Sequence, residues 1–136
     1  MKEKGGNKTV LAGIPESLPA LVKAYRIQDK VANVGFDWEK REDVWAKVKE
    51  EIAEFEVEVD HMDEAKATEE MGDLIFALVN AARLYNIRPD NALEKTNAKF
   101  IKRFNYIEQK AKEKGQSLNE MTLDEMEALW QEAKKA

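Results

Sequence analysis

The sequence predicts an all-α protein, and three observations predict it. Charged residues make up 36% and hydrophobic residues 43% of the 136, the mix of an amphipathic helical chain. Six Gly and three Pro are few for turn-rich β structure. Apolar residues recur at three- and four-residue intervals over long stretches, the period of a helix face. The length suits one domain with a real core.

The elements follow in order. Residues 1–13 hold Gly5-Gly6 and no helical periodicity, and read as a flexible tail or linker before a single helical domain at 14–136. A first helix is expected at about 17–34, with Ser17 as N-cap, Pro19 in the first turn and Leu18, Leu21, Val22, Tyr25 and Val31 as its apolar positions. Gly35-Phe36-Asp37-Trp38 breaks the pattern and is aromatic enough to pack back on the bundle or close over a ligand. A second helix at about 41–60 carries Val44, Val48, Ile52, Phe55, Val59 and Met62 on one stripe. At 100° per residue Glu51 lies only about 20° beyond the edge of that stripe, with Glu54 further round. Asp63 is placed to cap a third helix, about 63–86. From Leu74 to Tyr85 it is apolar on nearly every face, which predicts burial at the centre of the bundle. A fourth helix is expected at about 89–114 with a core stripe of Leu93, Phe100, Phe104, Ile107 and Ala111. A short fifth helix, about 122–134, opens on the capping box Thr122-Leu123-Asp124-Glu125. The architecture expected is four-helix-bundle-like, with that short C-terminal helix added.

Composition also limits the chemistry. Without Cys there are no thiolate sites or disulfides, and one His rules out an all-imidazole metal site within a subunit. Any metal must be held mainly by oxygen. No apolar run approaches the ~20 residues of a membrane span, so the chain reads as cytoplasmic, without a membrane partner. A net charge of −5 argues against a nucleic-acid polymer as partner.

Two acidic words stand out against this background: Glu51-x-x-Glu54 and, after fifteen intervening residues, Glu70-Met-Gly-Asp73. In each, two carboxylates three residues apart share a helix face. On an amphipathic helix the ordinary role of a residue such as Glu51 is a solvated flank. Glu70 and Asp73 are different, because they open the face that continues through Ala77, Asn80 and Leu84 toward the interior, where ionised carboxylates are costly unless paired or metal-bound. Gly72 between them suggests close approach of a backbone or ligand. A turn near residues 60–63 makes the second and third helices an antiparallel hairpin, and the two words lie about eight to eleven residues either side of it, so the pairs can meet. Four converging carboxylates suit Mg²⁺ or Mn²⁺ better than zinc or copper. On the fourth helix Lys99 and Arg103, one turn apart, would make a phosphate clamp, although a basic helical face is more often simply solvated. Trp130 fits a core position as well as a stacking platform.

Glu51-x-x-Glu54, the fifteen-residue spacer, Glu70-x-x-Asp73 within EEMGD, NAKFIKRF, SLPALVKAYRIQDK upstream and Trp130 near the end together resemble the MazG family of nucleoside triphosphate pyrophosphohydrolases. The resemblance covers about residues 14–134 and is closest to the C-terminal of two tandem domains in bacterial proteins of that family; only one such domain is present, and residues 1–13 resemble the linker before it. The family implies an all-α fold, a homodimer or tetramer, and Mg²⁺-dependent hydrolysis of NTPs or dNTPs to the monophosphate and pyrophosphate, with Mn²⁺ a possible substitute. It implies that Glu51, Glu54, Glu70 and Asp73 are metal ligands and catalytic residues. It also implies that Lys66, Lys99 and Arg103 contact phosphates or nucleotide, that Trp130 lies against base or sugar, and that Lys47, Lys49 and Glu50 line the site. Two other readings fit some of the same residues. One is a non-catalytic helical interaction module; the other is a di-iron carboxylate bundle, for which Glu58-x-x-His61 supplies one half-motif of the two required.

Overall fold

The computed structural model describes residues 9–136. It holds five α-helices: α1 (Ala20–Asn33), α2 (Val44–Asp60), α3 (Glu64–Leu84), α4 (Pro89–Glu113) and α5 (Leu123–Lys135). Short 3-10 turns lie at Arg41–Asp43 and Leu118–Glu120, and no strand occurs among the described residues. The fold class is all-α, as predicted. Residues 1–8 of the expected tail lie outside the described residues, and the segment that follows makes successive turns, with Ala12 N–H donating to the Thr9 carbonyl and Leu18 N–H to that of Pro15.

One boundary differs from expectation. The first helix begins at Ala20 and not near Ser17, and its N-cap is Pro19, at φ −55° and ψ 146°. The cause is local: a residue before proline is driven away from helical angles, so Leu18 cannot belong to a helix running from Ser17. Asp63 is the N-cap predicted for α3, its carboxylate accepting from Lys66 N–H at 3.1 Å. Thr122 and Glu125 form the predicted capping box of α5. Just before it, Ser117 and Glu120 form a second box that the sequence reading did not anticipate.

The chain falls into two compact units, the first ending at Asp90 and the second spanning Asn91–Ala136. In the first, α2 and α3 form a hairpin whose packing is the most extensive of any helix pair, and α1 packs on α3. The core lies at the end of the hairpin away from its turn. Val44 and Val48 meet Ala77 and Ala81 there, with Leu74, Leu84 and Tyr85 around them. Trp45 Nε1–H donates to the Tyr85 hydroxyl at 3.0 Å and ties the start of α2 to the end of α3. Toward the turn the α2 stripe loses its cover, and Ile52, Val59 and Met62 are exposed. The expectation that α3 is buried on all sides needs the same correction. Ala77, Val79 and Ala81 are buried, but Ile75, Phe76 and Leu78 are 42–45% exposed. Two helices cannot cover every face of a third.

Three helix ends in this unit share one device. At the ends of α1, α2 and α3 the chain takes a left-handed residue, and the next N–H reaches back to a carbonyl of the last turn: Phe36 to Val31, Asp63 to Glu58 and Ile87 to Ala82. Gly35 fills the left-handed position after α1 at no steric cost, whereas Met62 and Asn86 hold φ of 56° and 61°.

In the second unit α5 folds back on the last turns of α4, joining Ile107 and Ala111 to Met121 and Leu129. The stripe predicted for the fourth helix is therefore covered only in its second half; Leu93 and Phe100 are about half exposed.

Candidate active site

The hairpin brings the two acidic words together. Oxygens of Glu51, Glu70 and Asp73 lie within 4.8 Å of one another, as do oxygens of Glu50, Glu51 and Glu54, so Glu51 belongs to both groups. It is the most buried of the set, 5% exposed, although its position at the rim of the α2 stripe suggested a boundary residue. Lys47, one turn earlier, holds Glu51 Oε1 at 2.9 Å and also reaches Glu50 at 3.4 Å. That hydrogen bond to Glu51 is the main reason the Lys47 ammonium titrates above the usual lysine range.

One ammonium does not satisfy the cluster. Glu51 Oε2 and Glu70 Oε2 are both buried without a hydrogen-bond partner among the described residues. The Glu70 carboxyl is pushed above the ordinary carboxylate range, first by desolvation and then by the negative charges of Glu54, Asp73 and Glu51. Orphaned carboxylate oxygens crowded by like charge are the donor set that a hard, oxygen-seeking divalent cation fits. Gly72 does not mark a close approach: a Cβ added there would meet nothing within 4 Å.

Beside the cluster lies a cavity of about 690 Å³, within the range of small-ligand sites. Glu51, Asp73 and Lys47 line part of it, and Gln28, Phe36, Trp38, Phe76, Asn80 and Arg83 are among the other residues of the wall. Residues 36–38 contribute to this lining, and the loop packs back on α3, one of its two anticipated roles. Its position is fixed by Asp37, which accepts from Arg83 Nη2 at 2.6 Å. Arg83 is itself held by Asn80 Oδ1, at 3.0 Å from Nε and 2.9 Å from Nη2. Burial raises the Asp37 carboxyl, but the hydrogen bond from Arg83, the Trp38 N–H and the guanidinium charge outweigh it, and the group titrates below its usual range.

The remaining candidates are spread more widely. Lys49 and Lys66 are exposed, and Lys66 sits in the first turn of α3. His61 caps the C-terminus of α2 and is exposed. Lys99, Arg103 and Trp130 belong to the second unit, where the Arg103 guanidinium lies 5.5 Å from the centre of the Trp130 ring, and Phe100 packs on the same ring at 5.1 Å. Gln28, Asp37, Asn80 and Arg83 were not singled out as site residues from sequence. Asn80 and Arg83, two polar side chains interrupting the LIFALVNAARLY run, were the available clue.

These features define a helical protein with an all-oxygen acidic cluster at the side of a ligand-sized cavity. Residues 39–107 match the MazG nucleotide pyrophosphohydrolase domain, and the chain belongs to that family. It is 44% identical over 129 residues to the nucleoside triphosphate pyrophosphohydrolase of Escherichia coli K12, covering 93% of this chain and 49% of that protein. It is 37% identical over 134 residues to the nucleoside triphosphate pyrophosphohydrolase/pyrophosphatase MazG of Thermotoga maritima, covering 98% and 51%. A third relative, the uncharacterized protein YabN of Bacillus subtilis 168, is 53% identical over 78 residues, 57% of this chain and 16% of that protein. The chain spans about half the length of the first two.

Proposed function

We propose that the chain is a Mg²⁺-dependent nucleoside triphosphate pyrophosphohydrolase, cleaving NTPs or dNTPs to the monophosphate and pyrophosphate. The observation that carries the reading is the convergence of Glu51, Glu70 and Asp73 within 4.8 Å, with buried oxygens of Glu51 and Glu70 left without partners. The names of the Escherichia coli and Thermotoga maritima relatives support the substrate class.

Glu51, Glu54, Glu70 and Asp73 would hold the cation, with Mn²⁺ a possible substitute. When bound, the ion supplies charge neutralisation of the triphosphate and activation of water. The rest falls to the chain's own residues. Water adds to the α-phosphorus, the bridging P–O bond breaks, and pyrophosphate leaves with its oxygen. Glu51 or Glu54 accepts the proton released from the water. Lys47, set against Glu51 and Glu50, balances part of the acidic charge, and its neighbour Lys49 and Lys66 on α3 are proposed phosphate contacts. For Lys99 and Arg103 the proposed role is also contact with phosphates, and for Trp130 contact with sugar or base; the stacking of Arg103 on Trp130 supports treating the last two as a unit.

Residues 14–136 would work as one domain in the cytoplasm, as a homodimer or tetramer. The exposed Ile75 and Leu78 of α3 support a second copy as their cover. No helix of the described residues is long and apolar enough to cross a membrane.

The test is pyrophosphate release from a panel of NTPs and dNTPs with Mg²⁺ and with Mn²⁺. Glu70→Gln and Asp73→Asn should each lower turnover by orders of magnitude while circular dichroism stays unchanged. Near-normal turnover by both variants would remove the acidic cluster from the mechanism.

A further inference from the structure

We infer that Gln28 reads the base of the nucleotide, accepting an N–H from an exocyclic amino group, so that bases carrying an amino group are preferred over their oxo counterparts. The inference rests on the nucleotide reading above and specifies its substrate class.

Gln28 is on α1, 3% exposed, and lines the cavity beside the acidic cluster. Its Nε2 donates to the Phe76 carbonyl of α3 at 2.9 Å. That bond settles which end of the amide is which, since a carbonyl can only accept. The other end, Oε1, is a buried acceptor without a donor among the described residues. An acceptor left in that state costs free energy that a purely structural glutamine has no reason to bear, because a side chain of the same shape without the oxygen would avoid it.

The surroundings say what kind of donor is expected. Phe36, Trp38 and Phe76 give the cavity aromatic walls that suit a planar ring. Glu51 and Asp73 belong both to the cavity lining and to the acidic cluster, so a ligand whose phosphates lie at the carboxylates can extend its base toward Gln28. At the base edge an amino group satisfies Oε1. An oxo group in the same place sets lone pairs against lone pairs and leaves both acceptors unpaired. Discrimination by a buried hydrogen bond of this kind is about tenfold or more.

The experiment compares pairs that differ at one substituent. kcat/KM for pyrophosphate release is measured for ATP against ITP and for CTP against UTP, and the dissociation constants of AMP, IMP, CMP and UMP are measured without turnover. The expected result is an amino-over-oxo preference of about tenfold or more in both pairs for the wild-type protein. Gln28→Met, close in volume but lacking the acceptor, should bring both ratios toward one. If Gln28 only ties α1 to α3, the substitution lowers all four nucleotides together and leaves the ratios alone. Wild-type ratios near one, or ratios that persist in Gln28→Met, overturn the inference. Should Gln28→Met fail to fold, the dissociation constants of the four monophosphates for the wild-type protein decide: equal affinities of AMP and IMP and of CMP and UMP overturn the inference. Pyrophosphate release with equal ratios would leave the hydrolase reading intact and remove base reading; the monophosphate preference without any pyrophosphate release would do the reverse.

Discussion

Lys47 and Glu51 form a one-turn ion pair of 2.9 Å in which the carboxylate is buried and the ammonium reaches solvent. This asymmetry makes Lys47 the main internal counter-charge to an over-acidic cluster. Removing it, as in Lys47→Met, leaves Glu51 buried beside Glu70 and Asp73 with no paired cation among the described residues. The expected loss of stability is on the order of 1–2 kcal/mol, below the 3–5 of a fully buried pair because the lysine is half exposed. Chemical denaturation should record it, and added Mg²⁺ should recover part of it.

Glu70→Gln should act in the opposite direction on the metal-free chain. Its carboxyl is held above the ordinary range by desolvation and by Glu54, Asp73 and Glu51, so ionising it costs the folded state more than the unfolded one. The stability this group allows is fully present at pH below the unfolded carboxylate range and declines as pH rises through the elevated folded value. The neutral amide removes that loss. Near neutral pH the metal-free melting temperature should rise in Glu70→Gln, while the rise produced by Mg²⁺ in the wild-type protein should shrink. A fall in the metal-free melting temperature would contradict the electrostatic account.

Asp37 carries the opposite sign. Burial raises its carboxyl, but the hydrogen bond from Arg83, the Trp38 N–H and the Arg83 charge bring it below the ordinary range. The stability it contributes is present above the unfolded carboxylate value and is lost as pH falls through the depressed folded value. Since Asp37 sits between two aromatic residues of the cavity wall, Trp38 fluorescence should report the release. The emission change on acidification below the ordinary carboxylate range should be absent in Asp37→Asn, whose loop should already be loosened at neutral pH.

Met62 offers a test of the hairpin turn. It is 88% exposed, at φ 56°, and its side chain therefore contributes little packing to offset a left-handed backbone. Met62→Gly should stabilise the chain by up to about 1 kcal/mol, the relief of strain being reduced by the greater entropy of unfolded glycine. Thermal melting measures it directly; a lower melting temperature would show that the turn draws on the Met62 side chain.

The hairpin and its acidic face were legible because they depend on periodicity and on distance from one turn. Val44 and Val48 meeting Ala77 and Ala81, Asp63 capping α3, and Glu51 meeting Glu70 and Asp73 all follow from helix geometry. Ser17 misled because two local preferences competed, and the restraint of Pro19 on Leu18 outweighed the capping tendency of serine. The cavity was harder to read. Gln28 reaches Phe76 across 48 residues and Arg83 reaches Asp37 across 46, and no spacing rule announces a contact between elements that far apart. The depth of Glu51 was also hidden, since the approach of α3 at Glu70 and Asp73 is not encoded in the α2 stripe.

Because only residues 61–63 separate α2 from α3, the four carboxylates are gathered by closing one short local loop. Such closure is fast and carries little entropic cost, so the hairpin is a natural early event in folding. It also concentrates negative charge at the moment it closes. The site thereby acts as a brake on its own formation, which a divalent cation held as proposed above would release. At constant ionic strength, refolding should be faster in Mg²⁺ than in an equivalent monovalent salt, and this acceleration should diminish in Glu70→Gln.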